Sequence, residues 1–250
     1  DGRLIAMALP SYSGKYEVLV ASVADGREIR LVNEFEAEQL GFSPDSRSLA
    51  VGGQYEQSTG GGWIEVWDLG LDDRENVRLT DPGQLAALAV NPGGSVLAVA
   101  SMDGYVRLIT VPDGRQIARI PYGSALTKVA VSADGNLIAF AGEDMATHLW
   151  SLKDSREVMK LGHQGDVLAV AFSSNGEYLA SVSDDGMLQA TPVAGGTNVP
   201  QVMMSDDGCS LAAFSPDGSR LVCVTEEYDA RVLEVPAGKS PKELPLSEVD

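Results

Sequence analysis

The 250-residue chain carries 18 Lys and Arg against 36 Asp and Glu, a formal net charge of −18. That balance speaks against nucleic acid or an anionic membrane as a partner, because both are bound through clustered Lys and Arg. Apolar residues make up 44% and charged residues 22%, the composition of a packed globular chain rather than a disordered acidic tail.

The chain starts at Asp1-Gly2-Arg3-Leu4-Ile5-Ala6, which is the second half of a motif that returns five times. Gly41-Phe42-Ser43-Pro44-Asp45 is followed by Ala89-Val90-Asn91-Pro92-Gly93 and by Ala130-Val131-Ser132-Ala133-Asp134. Ala171-Phe172-Ser173-Ser174-Asn175 and Ala213-Phe214-Ser215-Pro216-Asp217 complete the series. The turn positions 1, 45, 93, 134, 175 and 217 lie 44, 48, 41, 41 and 42 residues apart. Each copy places β-prone residues on both sides of a Ser-Pro-Asp-Gly-like turn, where Pro presets φ and Gly accepts φ > 0. A second turn follows about ten residues later, as at Met102-Asp103-Gly104 and Asp184-Asp185-Gly186, and a third at Ala24-Asp25-Gly26 and Pro112-Asp113-Gly114. Three turns in each period give four short antiparallel strands, with no helical periodicity. Four-stranded sheets repeated in this way predict an all-β fold, a β-propeller.

The repeat resembles the WD40 family over essentially the whole chain. The best match is Ile64-Glu65-Val66-Trp67-Asp68-Leu69, with the Trp-Asp pair itself, and Leu161-Gly162-His163 resembles the Gly-His pair. Elsewhere the Trp position reads Ala21, Ile109, Trp150, Thr191 and Leu233, so the family's Trp–Ser/Thr–His–Asp hydrogen-bond network is complete in no repeat. Arg78-Leu79-Thr80 following Trp67-Asp68-Leu69 also resembles the TolB-type propellers. The resemblance implies one domain over 1–250, with blades at 1–32, 33–80, 81–121, 122–162, 163–204 and 205–250. The first blade keeps strands near 3–9, 16–22 and 27–32 but lacks its inner strand. A longer parent chain is the expected source of that strand and of a seventh blade.

Catalytic and metal motifs are sought next. Neither Gly-x-x-x-x-Gly-Lys-Ser/Thr, His-Glu-x-x-His, Cys-x-x-Cys nor Gly-x-Ser-x-Gly is present. His163 reads as a structural hydrogen-bond partner and His148 as a packed or solvent-side residue. Two cysteines, Cys209 and Cys223, are no disulfide framework, so a cytoplasmic location is expected. No cofactor and no metal are expected, and the 250 residues themselves are not expected to be an enzyme.

Many of the acids have a turn role: Asp1, Asp25, Asp45, Asp103, Asp113, Asp134, Asp185 and Asp217 all sit in tight-turn positions. The remainder is more informative. Glu34, Glu36 and Glu38 alternate with Phe35 and Ala37, so period two puts them on one face of an extended segment. Asp206-Asp207 holds the equivalent place before the sixth blade, and Glu226-Glu227 lies between its second and third strands. By family analogy all of these map to the top rim. Long loops carry aromatics to the same rim: Tyr12 in residues 10–16, Tyr55 and Trp63 in residues 53–63, with Tyr122 and Tyr228 in further blades. Loops on a rigid scaffold carry function, and Tyr and Trp are enriched at interface hot spots. Solvated surface for the acids, and packing for Trp63, are the competing readings. The expected function is a non-catalytic scaffold or sensor module that binds a protein or peptide of basic character at this rim, within a larger regulatory protein. The alternative is the propeller of a hydrolase or TolB-like envelope protein that gates or docks for chemistry done elsewhere.

Overall fold

The computed structural model describes residues 3–9, 16–33, 36–42, 46–54, 61–69, 76–80, 83–91, 93–111, 114–173, 175–194, 201–203, 211–215, 219–224, 230–234 and 242–244. At 33, 76–80, 201–203, 211 and 242–244 it describes the backbone alone. Every regular element among these residues is a β-strand, and no helix long and apolar enough to cross a membrane is found. The chain divides into two compact units, Asp1–Leu126 and Thr127–Asp250.

The first unit holds three antiparallel sheets. Sheet 1 has three strands, β1 (Leu4–Leu9), β2 (Tyr16–Ser22) and β3 (Glu28–Asn33). Sheet 2 runs β4 (Gln39–Phe42), β5 (Ser48–Gln54), β6 (Gly62–Asp68) and β7 (Asn76–Thr80). Sheet 3 runs β8 (Leu85–Val90), β9 (Val96–Ser101), β10 (Tyr105–Thr110) and β11 (Gln116–Pro121). In the second unit, sheet 4 is β12 (Leu126–Val131), β13 (Leu137–Gly142), β14 (Ala146–Ser151) and β15 (Arg156–Gly162). Sheet 5 is β16 (Val167–Phe172), β17 (Tyr178–Ser183), β18 (Met187–Pro192) and β19 (Gln201–Met203). Sheet 6 is β20 (Leu211–Phe214), β21 (Arg220–Val224), β22 (Ala230–Glu234) and β23 (Lys242–Leu244). Among the described residues there are thus one antiparallel sheet of three strands and five of four.

The repeated motif owes its shape to one side chain. Asn91, Ser132, Ser173 and Ser215 occupy the same place in successive hairpins. Each accepts the backbone N–H five residues on, at 2.8 Å from Val96, 2.9 Å from Leu137, 2.9 Å from Tyr178 and 2.9 Å from Arg220. Each also donates its own N–H to the carbonyl of that same residue. Between them the chain must pass through the left-handed region, which Gly94, Gly135 and Gly176 do at φ of 66°, 74° and 71°. In the copy around residue 45 that place falls to Ser46, at φ 56°.

Within each unit the core lies between the faces of consecutive sheets. Val18, Val20 and Leu31 of sheet 1 pack on Leu49, Val51 and Trp63 of sheet 2. Ala50, Ile64 and Val66 of sheet 2 pack on Leu85, Leu97 and Val99 of sheet 3. Ala139, Leu149 and Leu161 of sheet 4 meet Leu179 of sheet 5, and Ala180, Val182 and Leu188 of sheet 5 meet Leu221 and Leu233 of sheet 6. A Cβ added to Gly52 would stand 2.7 Å from Leu85 Cδ2, so the absence of a side chain at residue 52 eases the passage of β5 against β8. Cys223, fully buried in β21, is disulfide-bonded, and Cys209 is the only other cysteine in the chain. The low cysteine count had pointed away from a disulfide.

Candidate functional site

In sheets 3, 4 and 5 the turn between the second and third strands is hydrogen-bonded to a segment that enters or leaves the sheet. In sheet 3, the N–H of Tyr122 donates to Gly104 O at 2.8 Å, and Met102 N–H donates to Gln84 O at 2.8 Å. In the second unit, His163 N–H donates to Met145 O at 2.8 Å and Asp184 N–H to Asp166 O at 3.0 Å. Gln164 N–H donates to the Asp185 carboxylate at 2.9 Å. These bonds put both kinds of loop on one rim of sheets 3, 4 and 5. Between sheets 2 and 3, Gln84 Nε2 donates to Gln54 Oε1 at 2.9 Å, at the point where residues 55–60 begin.

Of the nine rim residues expected from the sequence, three are described. Glu36 is exposed, as is Glu38, while Ala37 between them is half-buried in the sheet 1–sheet 2 core. The alternation expected from period two is therefore present at these three residues, just before β4. Tyr122 is half-buried and occupies the same position in its loop as His163 in the next repeat. Trp63 is a correction. It is 1% exposed, packed on Val18, Val20, Leu49 and Val51, so its ring is a core element rather than a contact for a partner. Tyr12, Glu34, Tyr55, Asp206, Glu226 and Tyr228 lie outside the described residues, as do Asp207 and Glu227.

The turn carboxylates behave as the sequence suggested wherever they are described. Asp134 accepts Ser132 Oγ at 2.7 Å and Asn136 N–H at 3.0 Å, and these bonds, led by that from Ser132, hold its carboxyl below the ordinary range. The Ser22 hydroxyl and the Arg27 N–H lower Asp25 in the same way.

At the rim, one turn position carries three different networks. In sheet 3, Asp103 binds the Arg107 guanidinium through both oxygens, and that bond lowers its pKa. Arg107 also donates to Ser101 Oγ at 3.1 Å. Arg119, across the sheet from Arg107, lies 3.5 Å from the centroid of the Tyr105 ring. In sheet 4, Asp144 takes Lys160 Nζ at 2.8 Å and faces His148 Nε2 at 3.0 Å. His148 is buried, stacked on Phe140 at 5.3 Å, with Glu157 Oε2 2.6 Å from Nδ1. The bond to Asp144 raises the Lys160 pKa. This cluster could not be read from the order of residues, because β15 supplies Glu157 and Lys160 only through its register with β14.

In sheet 5, the corresponding Asp185 accepts Ser183 Oγ and Met187 N–H as well as Gln164 N–H. Burial works against its charge, but these bonds together outweigh burial and hold the carboxyl below its ordinary value. His163 Nδ1 lies 2.8 Å from Ser183 Oγ and Nε2 2.9 Å from Ser181 Oγ. Ser183 has one proton and gives it to Asp185. His163 Nδ1 is then the donor to Ser183, and Nε2 accepts from Ser181. Burial lowers the His163 pKa, against the pull of Asp185, consistent with this neutral tautomer. Ser181 and Ser183 are wholly buried, so neither hydroxyl is presented to an outside molecule. Thr191 stands in place of the family's Trp, and its buried hydroxyl has no hydrogen-bond partner among the described residues. Three of the network's four members are thus assembled in this repeat.

The family model for the WD domain, G-beta repeat, matches residues 78–110 and 155–189. These two segments carry the WD40 repeat. The first matched segment runs from the end of sheet 2 through β10, and the second from the end of sheet 4 through β18, the strand that follows the His163–Ser183–Asp185 network. No curated protein matches the chain.

Proposed function

We propose that this WD40-repeat chain is a β-propeller interaction module that takes a basic protein or peptide segment at the loop rim. WD40 repeats commonly serve protein–protein interaction. One observation carries the placement: in sheets 3, 4 and 5 the turn between the second and third strands is hydrogen-bonded to a loop that enters or leaves the sheet. Those loops are held by backbone bonds on a rigid base, which suits them to recognition. Glu36 and Glu38 supply exposed charge there, and Tyr122 an aromatic edge. Tyr12, Glu34, Tyr55, Asp206, Glu226 and Tyr228 complete the proposed surface.

The test is titration of a Lys-rich fluorescent peptide into the chain, at low salt and again at 0.3 M salt. Binding through the rim carboxylates weakens about tenfold or more across that range, because the screening length falls below the spacing of exposed charges. Glu36→Lys combined with Glu38→Lys should weaken it at low salt, and Tyr122→Ala at both salts. Binding indifferent to salt and to all three changes overturns the proposal.

One observation favours the TolB-like envelope reading as a second possibility for location: Cys223 is disulfide-bonded. Stable disulfides belong to oxidising compartments. Alkylation of the freshly isolated protein decides it. Full blocking of both cysteines without reductant supports the cytoplasmic location, and labelling only after reduction supports the envelope.

A further inference from the structure

Asn175 is the one asparagine of the chain that glycine follows. It lies in the turn between β16 and β17, at the end of β17 away from the Asp185 turn, and so is separate from the loop rim. Asn175 is exposed, and a Cβ added to Gly176 would meet only Ala133 Cβ, at 3.9 Å. With no side chain on residue 176, the peptide nitrogen beside the asparagine amide is unhindered. While the turn is closed, that nitrogen donates its proton to Ser173 O at 2.8 Å.

The turn depends on the side-chain oxygen of Asn175 more than on its nitrogen. Oδ1 accepts Ser173 Oγ at 2.6 Å and Glu177 N–H at 3.1 Å. Nδ2 gives one bond, to Glu177 Oε2 at 3.1 Å, between two exposed residues. The matching turn of sheet 4 makes the same two oxygen bonds with a carboxylate. There Asp134 Oδ1 accepts Ser132 Oγ at 2.7 Å and Asn136 N–H at 3.0 Å. Gly135 and Gly176 share the left-handed conformation, at φ 74° and 71°, and each donates its N–H to the serine carbonyl, at 2.9 and 2.8 Å. A carboxylate at residue 175 therefore fits this turn as it stands. It gives up only the bond to Glu177, whose exposed side chain turns to water.

We propose that Asn175 is a site of spontaneous deamidation in the folded chain, and that the aspartate formed there takes over the turn with the hairpin intact. When the turn opens, Gly176 N–H leaves Ser173 O, gives its proton to hydroxide, and the nitrogen attacks Asn175 Cγ. The N–Cγ bond forms, the Cγ–Nδ2 bond breaks, and the amide nitrogen leaves as ammonia with a proton taken from water. The product is a five-membered imide ring. Water then opens the ring at one of its two carbonyls. Attack at Cγ yields aspartate, with one negative charge more than before. Attack at the main-chain carbonyl yields isoaspartate, which runs the chain through Cβ and Cγ and takes Oδ1 out of its place between Ser173 and Glu177.

The test is incubation of the folded 250-residue chain in mildly alkaline buffer over weeks, followed by peptide mass mapping. Electron-transfer fragmentation separates aspartate from isoaspartate. The peptide that holds residue 175 should gain the mass difference between NH2 and OH, and Asn175→Gln, which cannot close a five-membered ring, should not. Because the turn must open first, conversion should run at least about threefold slower than in urea, and Ser173→Ala, which frees Oδ1, should speed it at least about threefold. Asn175→Asp should leave the urea midpoint of the chain unchanged, whereas the isoaspartate fraction should unfold at lower urea. The proposal is overturned if residue 175 stays unconverted in the folded chain once the unfolded chain has converted fully, or if Asn175→Asp lowers the midpoint beyond the scatter of repeat measurements. It is overturned equally if Ser173→Ala leaves the rate as it is.

Discussion

Ser173→Ala removes the side chain that closes the hairpin between β16 and β17. Ser173 is 1% exposed and Tyr178 6%, so the bond from Tyr178 N–H to Ser173 Oγ, at 2.9 Å, is made away from water. In the variant that N–H has lost its acceptor, and the cavity of one hydroxyl does not admit water in its place. The cost of a buried donor left unpaired is about 1–3 kcal/mol. A second bond, Ser173 Oγ to Asn175 Oδ1 at 2.6 Å, is lost as well, but Asn175 still accepts Glu177 N–H at 3.1 Å, which confines the loss to the lower half of that range. The expected destabilisation is thus about 1–2 kcal/mol, and about 3–6 °C in Tm for a chain of this size. Urea unfolding followed by tryptophan fluorescence measures it, as a lower midpoint at unchanged slope. Ser173→Asn should recover part of the loss, since Asn91 performs the same task in sheet 3 with bonds of 2.9 Å to Ser95 N–H and 2.8 Å to Val96 N–H. A midpoint within about 0.5 kcal/mol of wild type, the range of ordinary surface changes, would refute the claim that this side chain closes the hairpin.

Two further outcomes follow from the rim. Met145 sits at φ 54° in the turn where the neighbouring repeats have Gly104 and Gly186, and its side chain is 45% exposed. Met145→Gly relieves a left-handed strain of about 1–2 kcal/mol against a glycine entropy cost of about 0.5–1, so a gain of about 0.5–1 kcal/mol is expected in urea unfolding; a loss would show that Met145 packs more than its exposure implies. His163 has its pKa lowered in the folded chain, mainly by burial. The unfolded chain therefore binds the proton first as pH falls from 6.5, so this contribution to stability is intact above 6.5 and lost on descending through the lower folded value. The difference in unfolding free energy between wild type and His163→Gln, followed from pH 7.5 to 5, should shrink in that direction, and a difference that stays constant would count against a buried neutral imidazole.

The repeat is legible in the sequence because its causes are local. Asn91, Ser132, Ser173 and Ser215 bond to a residue five places along, and the left-handed glycine lies between, so a turn, its hairpin and the period can be read from adjacent letters. Period-two alternation likewise carried Glu36 and Glu38 to the surface around Ala37. The hairpin of β2 and β3 was legible for the same reason, since a short turn closed by Ser22 and Arg27 joins them. Cross-strand and cross-sheet events were not. Trp63 begins a strand after a long loop and reads as a rim aromatic, yet the packing of sheet 1 on sheet 2 encloses it. Its neighbours Val18 and Val20 lie more than forty residues away in sequence. The Asp144–His148–Glu157–Lys160 cluster depends on which residue of β15 falls opposite His148, and a shift of one place would send Glu157 and Lys160 to the other face.

The acid excess divides along the same line. That Asp25, Asp134 and Asp185 shape turns was determined by the sequence, because each carboxylate bonds a backbone N–H two residues on. Which further groups those carboxylates serve was decided only by the tertiary structure. Asp103 meets an arginine, Asp144 a lysine and a histidine, and Asp185 a serine–histidine pair, although all three hold one place in the repeat. The physical reason is range. A hairpin is closed by bonds within a few residues, while the partner of a rim carboxylate is delivered by another strand or loop, whose register is fixed only when the sheets pack.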